Sequence, residues 1–541
     1  MDGKIYRGRT VLSGLALVCC LTSLVYMPIF SEFKDTWHIW LSGSTIKFAK
    51  HWLHTNPAST LFVMTELPPS IEFPDVKSQM IYCSYPPGAV LPIYAFALAS
   101  GISPDIVMVR IWNHLIKFGV ALCIVGFVWN SLRTFSREAA FFGAFVGGLF
   151  YLLSSNASLY HYSSYFSDQA VLFPVAALLY YESGNRKKKW LPIMILMLTW
   201  GALTDPLIYF VGGAIAILYW IRGAKEKSFW RHVGISMYIL IPLVIGLTLF
   251  VYQLWYYDSF SEIIDKFKYR TQGYPNHSYF SFFNTMLHFR QFEYDLTSVL
   301  PCIVTVIVVL RPLSAKDILK TIQASSTNKG ALVAFTGAVL AHTFLFKSHS
   351  GIHSFSLMKY IVLLALFTGI ASGWLITHHG IIYRICYLLT IGILVLGFSL
   401  QTIDIYLTRT VPDLELAKVV KMDSDYNTIA ISPVYEIPEN PPVLLSISEK
   451  ILHHVTSGKP LGENILSLDP EKYKLVYIVP EGYFSENNLR TIANDFPKIE
   501  VRKYATREMD NLVELKTPPG IDIRSFIEYL GKAKRAEHNT M

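Results

Sequence analysis

The sequence predicts a polytopic α-helical membrane protein carrying a C-terminal α/β domain, and three observations predict it. Of the 541 residues, 52% are hydrophobic and only 16% are charged. The apolar residues collect in runs between residues 11 and 402, near the ~18–20 residues that a bilayer core requires. Residues 403–541 lack such runs and alternate strand-like with helix-like stretches instead.

The runs delimit eleven spans of an expected total of about 11–13: residues 11–30, 107–129, 139–156, 168–182, 190–204, 206–221, 232–257, 297–311, 330–346, 357–376 and 382–402. The first is too long, and lacks the small-residue cleavage site, to read as a removable signal peptide. Lys and Arg set the orientation. Segments 1–10, 129–138, 182–189, 222–231, 311–329 and 376–384 together hold 18 Lys/Arg and 5 Asp/Glu. Segments 31–84, 157–168, 204–206, 258–296 and 347–355 hold 9 and 12. The asymmetry predicts an N-inside, C-outside chain, with the second set of segments extracytoplasmic. Residues 87–101 would invert every later loop if they crossed, so they read as a short re-entrant or interfacial segment.

The net charge of +8 therefore reports topology rather than nucleic acid. Residues 403–541 carry 17 Lys/Arg against 21 Asp/Glu and no basic tract. Five cysteines fall in spans and only Cys83 is external, so neither a disulfide framework nor a zinc site is encoded.

Four external segments are large enough to build a site. The first places Trp37, Trp40, Leu41, Phe48 and Trp52 on one helical face, with Lys47, Lys50 and His51 elsewhere, as in an interfacial anchor helix. Asp35 stands just before it, and Tyr85-Pro86-Pro87 ends the segment in a rigid elbow. Residues 154–168 are rich in hydroxyls and aromatics until Asp168 opens the next span. The segment 258–296 brings Asp265, Arg270 and His288, and 347–355 brings His349 and His353 shortly before Lys359. Two triplets, Asn156-Ala157-Ser158 and Asn276-His277-Ser278, match glycosylation sequons on the same face.

In residues 403–541, the stretches 428–434, 443–447, 475–479, 499–504 and 512–515 read as strands. The stretches 448–457, 485–495 and 523–534 read as helices. No Gly-rich phosphate loop follows any of these strands.

Asp35, Arg110, Asp168, Asp205, Arg270, His349, His353 and Lys359 all fall in external loops or near outer helix ends. Charged groups at a membrane are costly and tend to pair or to line a cavity. Moving a sugar off a lipid phosphate needs a carboxylate to take the acceptor's proton and cations to hold the departing phosphate. Asp35 suits the first role, with Asp168 sharing it or orienting the acceptor. Arg110, Arg270, His353 and Lys359 suit the second. Plainer readings stand beside these: Asp35 and Asp168 as helix caps, Asp205-Pro206 as a helix start, and Arg110 as a snorkelling side chain.

An acidic first external loop after span one, a juxtamembrane helix and the Tyr85-Pro86-Pro87 elbow resemble the GT-C superfamily of integral membrane glycosyltransferases. The nearest likeness is to the protein O-mannosyltransferase and lipid A aminoarabinose transferase branch. Arg110, Asp168, His353 and Lys359-Tyr360 extend the correspondence. There are departures: Thr36 follows Asp35 where some members carry an Asp-Glu pair, and Lys359 stands where an Arg is expected. The absent Trp-Trp-Asp-Tyr-Gly motif argues against an oligosaccharyltransferase subunit.

The resemblance implies an inverting reaction with a polyprenyl-phosphate sugar donor. The acceptor would be a glycan, a lipid or a protein, at the extracytoplasmic face of the plasma membrane or, in a eukaryote, of the ER membrane. Tyr85, Arg110, Arg270, His349, His353 and Lys359 would bind the donor, and Asp35 and Asp168 would be catalytic. The domain 403–541 would cover the cavity or receive the acceptor. No cofactor is required by this chemistry; a divalent metal stays open. The rival readings are a transporter or flippase of lipid-linked sugars and a membrane-anchored binding scaffold.

Overall fold

A computed structural model describes residues 39–65, 81–154, 165–184, 188–272, 328–352, 356, 358–378, 428–432, 451–454, 469–471, 474–505, 511–518 and 520–540. The helices, in chain order, are α1 (Trp40–His54), α2 (Leu91–Ser100), α3 (Ile106–Leu132), α4 (Arg137–Leu153), α5 (Ser167–Glu182), α6 (Leu191–Ala202) and α7 (Leu207–Lys225). Then come α8 (Phe229–Tyr256), α9 (Phe260–Gln272), α10 (Lys329–Leu345), α11 (Lys347–Ile352), α12 (Met358–His378), α13 (Glu486–Asp495) and α14 (Ile523–Thr540). Strands β1 (Thr428–Ser432), β2 (Ile451–His454), β3 (Lys474–Pro480), β4 (Glu500–Tyr504) and β5 (Leu512–Lys516) form one sheet. The chain divides into two compact units, Met1–His38 with Cys83–Phe96 and Ile106–Arg409, and Ile39–Tyr82 with Ala97–Asp105 and Thr410–Met541.

In the first unit α3–α8, α10 and α12 follow eight of the expected spans; residues 11–30, 297–311 and 382–402 lie outside the described residues. The protein is an integral membrane protein: α3, α7, α8 and Met358–Ile376 of α12 are long and apolar enough to cross a bilayer. Trp230, Ile241, Val244 and Leu249 of α8 are exposed, as side chains facing lipid tails would be. By contrast α2 has ten residues, about 15 Å of helix, half the hydrocarbon thickness.

Side-chain contacts give the helix directions. Trp112 meets Tyr165, Gly119 meets Phe173, and Asn130 meets Ser183, so α3 and α5 run side by side in the same sense. Tyr219 donates to Glu182 at 2.6 Å, aligning α7 with α5, whereas Gly212–Leu243 and Gly223–His232 contacts set α8 antiparallel to α7. The alternation matches that expected from charge counting. It gathers the starts of α3, α5, α7 and α12 with the ends of α6 and α10 at one end of the bundle.

The tightest seam joins α4 to α12. Ala139, Gly143 and Gly147 recur every fourth residue, as do Ala365, Gly369 and Gly373. A Cβ on Gly369 would lie 2.8 Å from Gly143 O, and one on Gly373 would lie 2.4 Å from Ala139 O. Small residues at this spacing let backbones approach and gain dispersion contacts that lipid cannot supply. Ser136 caps α4, its Oγ accepting from Ala139 N–H at 3.3 Å.

In the second unit α1 departs from the expected interfacial anchor. Lys47 and His51 are buried together with Leu41, Phe48 and Trp52. The reason is tertiary: Trp52 Nε1 donates to Val63 O at 2.8 Å, and the Phe48 and Tyr82 rings meet at 5.5 Å, so later segments cover the helix. Burial, with Lys47 and His54 nearby, holds the His51 imidazole down to about 4.

The sheet order is β2-β1-β3-β5-β4, parallel from β2 to β3 and antiparallel from β3 to β4. Tyr477, Val479, Val513 and Leu515 alternate onto one face and form a core with Leu489 and Ile492 of α13 and Phe526 and Leu530 of α14. Ser485 caps α13 through Asn488 N–H. The helix expected over 448–457 is corrected: Ile451–His454 is strand β2, paired in register Ile429↔Ile451. Pairing with β1 satisfies its backbone in a way that local propensity does not register. The strand expected at 443–447 lies outside the described residues.

Candidate active site

The end of the first unit where α5, α7 and α12 begin is built around the proline elbow. Pro86 is extended (φ −67°, ψ 161°) and Pro87 opens a single 3₁₀ turn. Gly88 N–H donates to Leu203 O at 2.5 Å, and Trp200 Nε1 donates to Gly88 O at 2.8 Å. A Cβ on Gly88 would lie 2.3 Å from Leu203 O, so glycine alone permits this approach. The elbow thereby seats Tyr85 on one side and the Leu203-Thr204-Asp205 turn on the other.

Helix α9 clamps the chain just before the elbow. Arg270 Nη1 donates to Ser84 O at 3.0 Å, and its guanidinium lies 4.3 Å from the Tyr85 ring centroid. Lys266 Nζ lies 3.5 Å from Cys83 Sγ and 2.5 Å from Glu262 Oε1. Burial pushes the Cys83 thiol up to about 11, which keeps it an inert, protonated neighbour. Phe267 and Phe346 meet edge to face at 5.8 Å, tying α9 to the α10–α11 junction.

Two carboxylates face this clamp. Asp168, in the first turn of α5, is buried; the cap position is Phe166 and makes no side-chain bond, so the reading of Asp168 as a cap is corrected. Its Oδ1 lies 3.5 Å from Ser167 Oγ and its Oδ2 lies 4.0 Å from His349 Nε2. Among the described residues Asp168 Oδ2 has no hydrogen-bond donor. Asp205, Lys359 and Arg270 are the charged groups whose fields act on it. Asp205 stands just before the cap residue Pro206, and its Oδ1 accepts Leu207 N–H at 2.8 Å at the start of α7.

The remaining partners bind one another. Tyr85 Oη is 2.9 Å from His349 Nε2, joining side chains 264 residues apart. Lys359 Nζ is 2.9 Å from His342 Nδ1, and His342 Nε2 is 3.9 Å from Asp205 Oδ1. Two carboxyl groups, Lys359 and Arg270 thus gather at one site, as ionisable groups at a membrane tend to do.

Of the expected site residues, Asp168, Tyr85, Arg270, His349 and Lys359 come together. Arg110 is fully buried on α3, with the buried His114 and Lys117 on the same helix. Asp35 and His353 lie outside the described residues, as do both sequons. His342 escaped the sequence reading; its signal was a histidine inside an apolar span, which is a functional candidate by default. Among the described residues no three His, Cys, Asp or Glu side chains converge as a metal site.

No family model matches the sequence, and no curated protein matches it either. Solved structures do match in three dimensions. ArnT from Cupriavidus metallidurans, bound to undecaprenyl phosphate, superposes with a TM-score of 0.58 at 11% identity, covering 94% of this chain and 98% of its own. Its apo state gives 0.55 at 11% identity, covering 93% and 98%. The apo Archaeoglobus fulgidus oligosaccharyltransferase gives 0.51 at 9% identity over 93% of this chain and 74% of its own.

The chain has the GT-C fold.

Within this GT-C fold the cluster offers two complementary features. An entering anion would meet Arg270 and Lys359, and a hydroxyl group would find an acceptor in Asp168 Oδ2, which has no donor among the described residues. Their separation within one buried site suits a reaction that removes a proton at one point while negative charge grows at another.

Proposed function

We propose that the protein is a glycosyltransferase that moves a sugar from a polyprenyl-phosphate donor to a hydroxyl-bearing acceptor at the extracytoplasmic face of its membrane. The observation that carries this reading is the buried Asp168 Oδ2, lacking a donor among the described residues, beside Lys359 and Arg270. The fold shared with ArnT, solved with undecaprenyl phosphate, supports the donor class.

In the reaction, the acceptor oxygen attacks the anomeric carbon from the face opposite the phosphate. The bond from that carbon to the phosphate oxygen breaks, and its electron pair stays with the lipid phosphate. Asp168, together with Asp35, supplies the carboxylate that takes the acceptor's proton. Arg270 and Lys359 stabilise the phosphate as its charge develops, and Arg270 does so from a position fixed by Ser84 and Tyr85. His349, held by Tyr85, stands beside Asp168 and orients the acceptor. Inversion at the anomeric carbon follows from a single displacement. Residues 1–402 form the catalytic membrane part and 403–541 an extracytoplasmic domain.

The test is reconstitution in liposomes with labelled polyprenyl-phosphate sugars. Asp168→Asn should lower transfer about 10²- to 10⁴-fold, the usual worth of a positioned general base. A wild-type chain that transfers no sugar from any such donor refutes the function. Full transfer by Asp168→Asn removes Asp168 from the mechanism.

A further inference from the structure

His342 lies between a cation and an anion, and the chemistry of its neighbours fixes its tautomer. Lys359 Nζ is 2.9 Å from His342 Nδ1, and Asp205 Oδ1 is 3.9 Å from His342 Nε2. All three side chains are buried. An ammonium carries three donors and no acceptor, so Nδ1 must accept from it. The proton of the neutral imidazole then sits on Nε2, facing the Asp205 carboxylate.

Each part of this chain is itself held. Asp205 is fixed by Leu207 N–H at the start of α7. The imidazole is packed against Phe210 and Phe346, with centroids 5.3 and 5.0 Å away. Only Lys359 has a long flexible stem, so holding its ammonium in one place costs rotamer freedom. A neutral acceptor on a rigid ring is what orders it without cancelling its charge.

We propose that His342 is a positioning residue that aims the Lys359 ammonium at the departing lipid phosphate, with the Lys359 contact itself fixing the tautomer of the imidazole. This rests on the glycosyl-transfer reading above. The role differs from that of a direct phosphate ligand: His342 acts through Lys359, and its loss is felt when negative charge develops.

Two substitutions separate the ring nitrogens. His342→Asn keeps an acceptor near the Nδ1 position, and His342→Gln keeps a polar atom near Nε2. Steady-state kinetics with a polyprenyl-phosphate sugar should show His342→Asn within a few-fold of wild type. His342→Gln should lower kcat about 10- to 100-fold with little change in KM, the signature of an interaction made in the transition state. Lys359→Met should lower kcat at least as far, and adding His342→Gln to it should cost almost nothing more.

Asn and Gln variants that behave alike, whether both active or both impaired, overturn the proposal. So does Lys359→Met with wild-type kcat, a result that needs no His342 variant to fold. A wild-type chain without transfer refutes the function and this role together. Transfer that depends on Asp168 but not on His342 refutes this role alone.

Discussion

Replacing Gly88 by alanine tests how the site is assembled without touching any group placed in the chemistry. The added Cβ would sit 2.3 Å from Leu203 O, 2.5 Å from Thr204 Oγ1 and 2.6 Å from Leu203 C. Ordinary contact begins near 3.4 Å, so the elbow and the turn must separate by about 1 Å, and the nearest atoms are backbone. Separation weakens the Gly88 N–H bond to Leu203 and the Trp200 bond to Gly88 O. Overpacking of this kind costs about 1–3 kcal/mol, and each weakened hydrogen bond about 0.5–1.5 kcal/mol. The net expectation is about 2–6 kcal/mol of stability.

The catalytic expectation is larger, because Asp205 follows on one side of the contact and Tyr85 precedes it on the other. A 1 Å displacement within a catalytic constellation costs on the order of 100-fold in rate. Detergent-solubilised protein should therefore unfold at a lower temperature, and transfer from a polyprenyl-phosphate sugar should fall about 100-fold. Wild-type activity together with wild-type thermal stability would refute the reasoning that the elbow and the Asp205 turn are locked through Gly88.

Two further outcomes follow from parts remote from the chemistry. Gly369→Leu should destabilise the α4–α12 seam by at least about 1–3 kcal/mol, since even a Cβ there meets Gly143 O at 2.8 Å and Val128 Cγ2 at 3.0 Å; an unchanged melting temperature in detergent would contradict the close approach. For His51 the folded value near 4 lies below the ordinary 6.5, so its contribution is fully present above pH 6.5 and is lost as pH falls toward 4. The shift corresponds to about 3 kcal/mol at most. Protection factors of the α1 amides, taken relative to intrinsic exchange at each pH, should fall over that window, and His51→Gln should flatten the dependence; identical pH profiles would contradict it.

Much of the helical frame was legible because bilayer thickness acts on sequence locally. A span needs its apolar residues in one run, so α3, α7, α8 and α12 could be delimited by reading forward along the chain. Asp168, Arg270, His349 and Lys359 were legible for a related reason: each is an ionisable residue at a helix end or in an external loop, where charge is informative. The partners of these residues were not legible. Asp205 carried the signature of a helix start, which it is, and nothing local announced that its carboxyl also lies beside Asp168. The misread helix at 448–457 fails for the same reason, since pairing with β1 decides the conformation of Ile451–His454.

By itself, then, the sequence determined a membrane-embedded helical chain, its alternation, and a set of ionisable residues gathered at one end. Tertiary structure alone decided that Tyr85 meets His349, that Lys359 leans on His342, that Gly88 touches Leu203, and that α1 is buried rather than lying at a surface. The physical reason is range. Transfer of a residue into lipid or water is decided at that residue, whereas a hydrogen bond between positions 264 apart exists only after helices from separate parts of the chain have packed.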